Sequence, residues 1–69
     1  MSRYYQVLGL DEDGCTLRTI EVDTLAEAEE DAESLCSEKE YLESGMVQVQ
    51  VVRFTDANCE IISDVRVQS

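Results

Sequence analysis

Acidic residues are concentrated in one short stretch of this sequence. Between Glu27 and Glu33, five of the seven residues are acidic and the other two are alanine. Carboxylates at this density can bind a divalent cation or face a basic protein surface. A helix tolerates such a run but gains little from it, because like charges four residues apart repel each other. The run therefore calls for an explanation beyond helix stability.

The residue types needed for catalysis are missing. The chain has no histidine, no serine or cysteine with a recognisable base, and no glycine-rich phosphate loop. Asp11 and Asp13 lie in the segment DEDG, where a calcium loop would need further ligands that are absent, and acids in a hairpin turn are usually solvated. We therefore expect no enzyme activity, no metal site and no cofactor.

The composition describes a single small domain over residues 1–69 with a large excess of negative charge. Sixteen acids stand against one lysine and four arginines, which gives a formal charge of −11. Apolar residues make up 43% of the chain, as in an ordinary globular fold. The charge argues against direct binding to nucleic acid or to a membrane, because both require cationic contacts. The expected partner is a protein with a basic surface.

The three cysteines, Cys15, Cys36 and Cys59, are far apart in the sequence. An odd number without a CxxC motif is a poor framework for disulfides or for zinc. We expect reduced, partly buried thiols. No apolar segment is typical of a signal peptide or a membrane span, so we expect a cytoplasmic protein.

Two predicted hairpins flank one predicted helix. RYYQVLGL (3–10) and CTLRTIEV (15–22) are typical of strands, and Gly14 in the turn between them can take a positive φ. MVQVQVVRF (46–54) alternates apolar and polar side chains. CEIISDVRVQ (59–68) alternates again after the turn TDAN, with Ile61, Val65 and Val67 on one face.

The predicted helix begins after Thr24, which is the expected N-cap, with Glu27 completing a capping box. An apolar stripe with helical spacing follows, formed by Leu25, Ala28, Ala32, Leu35 and Leu42. Gly45 is expected to end the helix. The result is one helix of about twenty residues, or roughly 30 Å.

This order predicts an α+β fold, ββαββ, with one helix packed on one face of an antiparallel four-stranded sheet. The sequence leaves the order of the strands open. The predicted core combines the apolar faces of the strands with the helix stripe: Val7, Ile20, Val22, Leu25, Ala28, Ala32, Leu35, Leu42, Val47, Val49, Val51, Ile61, Val65 and Val67.

The acidic side chains of the helix have two competing explanations. Glu27 and its neighbours suit a helix N-terminus, and a solvated helix face is often charged. Glu40 and Glu43, however, lie in the last turns, where the helix dipole favours cations. Eight acids over sixteen helical steps give about one charge per 3 Å. That density is close to the ~3.4 Å spacing of phosphates along one strand of DNA.

The charge density leads to the hypothesis of nucleic-acid mimicry. The acidic face would occupy a basic site that normally holds DNA or RNA, with fast and salt-sensitive association. The predicted partner-binding residues are Glu27, Glu29, Glu30, Asp31, Glu33, Glu38 and Glu40. In the alternative hypothesis the chain is a non-enzymatic protein–protein interaction module. Its acidic surface then serves only solubility or halophile adaptation, which the scarcity of lysine also fits.

The strand-to-helix segment TIEVDTLAEAEEDAESL, followed by a glycine-ended helix and a hairpin, resembles the small acidic anti-CRISPR proteins encoded by phages. The likeness is architectural and compositional, and it covers most of the chain without a diagnostic motif. It implies a CRISPR effector subunit as the partner, with a basic surface that admits DNA or reads the PAM. It also implies that the protein acts in the cytoplasm of an infected host cell.

In the alternative hypothesis, apolar and aromatic side chains bind the partner. The candidates are Tyr4, Tyr5, Tyr41 and Phe54, since tyrosine is favoured at interface hot spots. One of the neighbouring residues Tyr4 and Tyr5 must point away from the core in a regular strand. Ile62 and Val52 could extend an apolar patch or form a weak homodimer contact; otherwise the chain is expected to be a monomer.

Overall fold

Four strands and two helices make up residues 3–67, the part of the chain that the computed structural model describes. In chain order they are β1 (Tyr4–Asp11), β2 (Thr16–Val22), α1 (Leu25–Cys36), α2 (Lys39–Glu43), β3 (Met46–Phe54) and β4 (Cys59–Arg66). The strands form one antiparallel sheet in the order β2-β1-β3-β4. α1 packs on one face of the sheet, which confirms the predicted α+β fold. Gln68, the predicted end of the last strand, lies outside the described residues.

The first hairpin turn is held by the side chain of Asp11. Its Oδ1 atom accepts hydrogen bonds from the backbone N–H groups of Asp13 and Cys15, both at 2.9 Å. Gly14 has a φ of +84°, as predicted for a residue that adopts this conformation without steric cost. The Asp11 carboxylate therefore has a structural role in the turn.

The two ends of the helical segment lie where the sequence predicts them. Thr24 Oγ1 accepts a hydrogen bond from the N–H of Glu27 at 3.2 Å, which confirms Thr24 as the N-cap. At the other end, Gly45 has a φ of +100° and its N–H bonds to the carbonyl of Leu42. The hydrogen bond at Thr24 satisfies one of the free N–H groups of the first turn.

The prediction of one continuous helix between these ends is wrong. α1 stops at Cys36, where the N–H groups of Ser37 and Glu38 bond to the carbonyls of Ser34 and Leu35. Such bonds, three residues apart, tighten the last turn and end a helix. Glu38 is extended, with ψ of 106°, before α2 begins. The acids of the segment are therefore divided between two helices.

The core lies between α1 and the sheet face that it covers. Its buried members are Tyr5, Val7, Ala28, Leu35, Met46, Val49 and Val51. Partly buried side chains surround them: Leu17, Ile20, Val22, Ala32, Cys36, Tyr41, Leu42 and Val67. Most of the predicted core is thus confirmed as buried or packed at the core margin, while Tyr5 and Met46 are additions that the sequence pattern missed.

Three residues predicted in the core are exposed instead. Leu25 is 37% exposed in the first turn of α1, directly after the edge strand β2. Val65 is 49% exposed and Ile61 is 56% exposed, both on the edge strand β4. α1 packs on β1, β2 and β3, so β4 lacks the cover that the prediction assumed. Val47 is half-buried.

Irregular strand pairing explains why simple alternation misplaced some side chains. Val51 lies opposite Ser63, but the next residue, Val52, lies opposite Ile61, so Ile62 is an extra residue in β4. Such a bulge inverts the alternation of faces. Ile61 consequently lies on the face away from α1, whereas Val65 lies on the same face as the helix.

Candidate acidic binding surface

A shallow depression with a volume of about 660 Å³ lies at the break between α1 and α2. It is lined by Glu30, Glu33, Ser34, Ser37, Glu38 and Lys39. Because α1 ends at Cys36 and Glu38 is extended, Glu38 joins Glu30 and Glu33 around one depression. We call this the acidic surface. It brings together three of the seven predicted partner-binding residues.

Two more of the predicted residues, Asp31 and Glu40, lie in a second depression of about 270 Å³. Arg18 of β2 also borders this depression, and so does Glu38. A positive charge among these acids lowers the local negative potential. Asp31 and Glu40 therefore share their depression with one base, as Glu30 and Glu33 share theirs with Lys39.

The remaining two predicted residues lie elsewhere on α1. Glu29 borders a groove between α1 and β4, which it shares with Glu33. Glu27 is in the first turn, where its N–H is bonded to Thr24. The seven acids thus spread around the exposed arc of the helices, and their part in partner binding stays a prediction.

Two acids outside the helices, Glu21 and Glu12, lie apart from the acidic surface. Glu21 of β2 pairs with Gln6, whose side chain lies on the sheet face away from α1. Glu12 of the first hairpin turn borders a separate depression with Arg66 and Val67. These two carboxylates therefore do not add to the acidic surface.

Within residues 3–67, none of the acids on α1 and α2 forms an ion pair. Arg53 and Glu60 do form one, at 3.1 Å, with both side chains partly exposed. Lys39 borders the acidic surface but lies outside ion-pair distance of its acids. The negative charge of the acidic surface is therefore left without a direct cationic partner in the described chain.

The aromatic candidates fall into different environments. Tyr5 is buried in the core, while the rings of Tyr4 and Phe54 stack at 5.0 Å, with 7° between their planes. This stacked pair lies on the sheet face away from α1, which confirms that one neighbouring tyrosine points away from the core. Tyr41 is half-buried against the core margin. Val52, a candidate for an apolar patch, is buried.

Of the three free cysteines, Cys15 and Cys59 are exposed, and the expected partial burial holds only for Cys36. Burial, together with the nearby negative charge of Glu33, raises the pKa of the Cys36 thiol. Within residues 3–67, no group of three or more Cys, Asp or Glu side chains is placed to hold a metal ion.

Comparison of the chain with protein-family models, curated proteins and solved structures gives no match. Residues 3–67 contain two helices, α1 and α2, and neither has the length and apolar content needed to span a membrane. Any functional proposal for the chain therefore rests on its own surface chemistry and architecture.

Proposed function

We propose that this chain is a non-enzymatic, acidic binding protein that occupies a basic, nucleic-acid-binding surface of a partner protein in the cytoplasm. The observation that carries the proposal is the convergence of Glu30, Glu33 and Glu38 around the acidic surface. These carboxylates have no ion-pair partner within residues 3–67. A basic protein surface would supply the missing positive charge, and long-range attraction would speed association.

The partner class that we propose is a CRISPR effector complex, and the proposed role is that of a phage-encoded anti-CRISPR protein. This choice rests on the resemblance of this small, acidic α+β chain to several of those inhibitors, which is one of architecture and composition. Carboxylates on α1 and α2 would take the place of DNA phosphates on the effector. Binding of the protein and binding of target DNA would then exclude each other.

The test is a binding measurement with purified CRISPR effector complexes at about 0.05 M and about 0.5 M salt, with and without target DNA. Surface charge pairs are largely screened at the higher salt, where the Debye length falls to roughly 4–5 Å. We expect binding at low salt that is lost at high salt and is competed by DNA. Binding that persists at high salt, or that DNA leaves unchanged, would contradict mimicry.

A matched pair of variants locates the binding surface. Replacing Glu30, Glu33 and Glu38 by Gln removes three charges from the acidic surface. Replacing Glu12, Asp13 and Glu21 by Gln, Asn and Gln removes the same charge from other places. If each exposed pair contributes about 0.2–1 kcal/mol, the first variant should bind roughly tenfold more weakly while the second changes little. Equal losses in both variants would mean that only net charge matters.

The stacked pair Tyr4 and Phe54 favours a second candidate function, an interaction module that binds through the sheet face away from α1. Ile61 lies on the same face and is 56% exposed. In this case Tyr4→Ala should weaken partner binding while charge reversal at Glu30, Glu33 and Glu40 does little. Mimicry predicts the opposite result. If the acids serve only solubility or halophile adaptation, the charge-reversed variant should bind as the unchanged protein does.

A further inference from the structure

The two edges of the sheet differ in their chemistry. β2 and β4 are the edge strands. Within residues 3–67, three of the four exposed large apolar side chains belong to β4: Ile61, Ile62 and Val65. β2 contributes none of them, and one of its faces is packed against α1. The β4 edge is therefore the apolar one.

A groove of about 200 Å³ runs between α1 and β4 on the helix side of the sheet. Val49 and Val51 of β3 and Val65 of β4 line it, so its floor is apolar. Glu29 and Glu33 of α1 also border it, and neither acid has an ion-pair partner in residues 3–67. The groove thus joins an apolar floor to a negatively charged rim.

Part of β4 has the regular backbone that strand addition requires. An edge strand presents unpaired N–H and C=O groups along its outer side, which another chain can extend. The bulge at Ile62 disturbs the first half of β4 and protects it, as bulges commonly do. From Ser63 to Arg66 the pairing with β3 has no shift. This part of the strand has no lysine or proline. Its charged side chains, Asp64 and Arg66, alternate with Val65 and therefore lie on the face away from α1.

We propose that the Ser63–Arg66 edge of β4 docks an extended, basic segment of a partner protein as a fifth strand. Alternate side chains of an added strand point to the same face, so apolar side chains would reach Val65 and the groove. Lysine or arginine at neighbouring positions on that face would reach Glu29 and Glu33. The proposal rests on the proposed function only in the basic character of the partner, and its groove shares only Glu33 with the acidic surface.

A second copy of this chain is a poorer occupant than a basic segment. Each copy carries a formal charge of −11, and pairing of two β4 strands would bring two grooves with Glu29 and Glu33 together. Like charges in such contacts oppose association. Charge complementarity therefore favours a cationic strand.

The test uses the full chain and two synthetic peptides, Ac-RTVTRTV-NH2 and Ac-ETVTETV-NH2, with amide chemical shifts followed by NMR. In each peptide the charged and apolar side chains share one strand face and threonine occupies the other. We expect the basic peptide to shift the amides of Ser63–Arg66 and to slow their hydrogen exchange, and the acidic peptide to do neither. Shifts confined to residues around Glu30 and Glu38 would overturn the proposal, as would equal binding of both peptides. The NMR samples contain only the chain and a peptide, without any nucleic-acid-binding protein. The outcome for the β4 edge is therefore independent of whether the chain binds a CRISPR effector.

Two apolar-to-lysine variants at exposed positions identify the docking edge. Val65→Lys places a charge at the groove, and Leu25→Lys makes the same change in charge far from β4. Losing the apolar contact between Val65 and a valine of the docked peptide should weaken peptide binding by about tenfold in Val65→Lys. Leu25→Lys should leave peptide binding unchanged. Equal affinities in the two variants would overturn the proposal. Sedimentation equilibrium that shows a dimer abolished by Val65→Lys would instead identify a second copy as the occupant.

Discussion

A Cβ atom on Gly9 would lie 2.7 Å from the Sδ atom of Met46 and 3.2 Å from the Cδ2 atom of Leu35. Both of these side chains are buried in the core between α1 and the sheet. Because β1 carries no side chain at Gly9, the start of β3 and the last turn of α1 can share the space above it. Close approach of this kind is a common reason for glycine within a strand.

Gly9→Ala should therefore destabilise the protein. Overpacking of a filled core costs about 1–3 kcal/mol, and the gain from a less flexible unfolded chain offsets only about 0.4–1 kcal/mol of it. We expect a net loss of about 1–2 kcal/mol in the free energy of unfolding, measured by urea denaturation at fixed salt.

The control for this prediction is a double-mutant cycle with Met46→Val, which removes the Sδ atom. In the Met46→Val background, Gly9→Ala should cost less than in the unchanged protein, because the space next to Gly9 is no longer filled. An equal cost in both backgrounds would show that Met46 does not set the penalty.

Met46 also shows why part of the core could not be predicted from the sequence. Strict alternation in β3 places Met46 on the same face as Gln48, away from the helix. The pairing with β1 shifts, so Met46 lies opposite Asp11 while Gln48 lies opposite Leu10, and Val47 is an extra residue. The bulge turns Met46 into the core. Sequence periodicity identified the strands, but the positions of bulges depend on pairing between strands.

The acidic surface depends on a break between two helices that the local sequence does not reveal. The apolar spacing from Leu35 to Leu42 is compatible with a continuous helix, and no proline or glycine lies between them. The chain nevertheless leaves the helical conformation at Glu38, and this break is what groups Glu38 with Glu30 and Glu33. The acidic residue types were visible in the sequence, whereas their grouping required the tertiary structure.

Glu38 offers a way to stabilise the helix break without changing the net charge. It is the N-cap residue of α2, but its side chain makes no capping hydrogen bond. Aspartate is a favoured N-cap residue, because its shorter carboxylate reaches the N–H groups of the first turn. Glu38→Asp should raise stability by about 0.5–1 kcal/mol, which corresponds to a rise in Tm of roughly 2–8 °C for a domain of this size.

Glu38→Gln separates capping from charge repulsion in this experiment. Glutamine keeps the length of the side chain, removes one negative charge and gives no short capping carboxylate. If Glu38→Gln raised Tm as much as Glu38→Asp, relief of repulsion among the acids would explain the gain, and the capping argument would be wrong.

The N-cap of α1 supplies a prediction with the opposite sign. Thr24 Oγ1 accepts the hydrogen bond from the N–H of Glu27. Thr24→Ala removes this acceptor and should lower stability by about 1 kcal/mol, seen as a lower midpoint in urea denaturation. Thr24→Ser retains the hydroxyl and should stay close to the unchanged protein. A serine variant as unstable as the alanine variant would assign the loss to the methyl group instead.

Cys36 should react with thiol reagents more slowly than the exposed residues Cys15 and Cys59. Burial limits access of the reagent to Cys36, and only the thiolate is nucleophilic. Burial and the charge of Glu33 raise the pKa of this thiol, so its thiolate fraction at neutral pH falls below that of a free cysteine. The measurement is the rate of iodoacetamide labelling at each cysteine, by mass spectrometry, from about pH 7 to about pH 10 around the free-thiol pKa of about 8.5.

The shifted pKa of Cys36 also makes stability depend on pH in a defined direction. The folded chain holds the Cys36 proton more tightly than the unfolded chain does, so this contribution to stability is complete below the unfolded pKa of about 8.5. It is lost as the pH rises through the higher pKa of the folded state. Replacing Cys36 by Ala should therefore flatten the decline in stability above about pH 8.5, while Cys15→Ala, at an exposed position, should keep it. Since burial is the larger cause of the shift, Glu33→Gln should move the labelling profile of Cys36 only part of the way toward that of a free thiol.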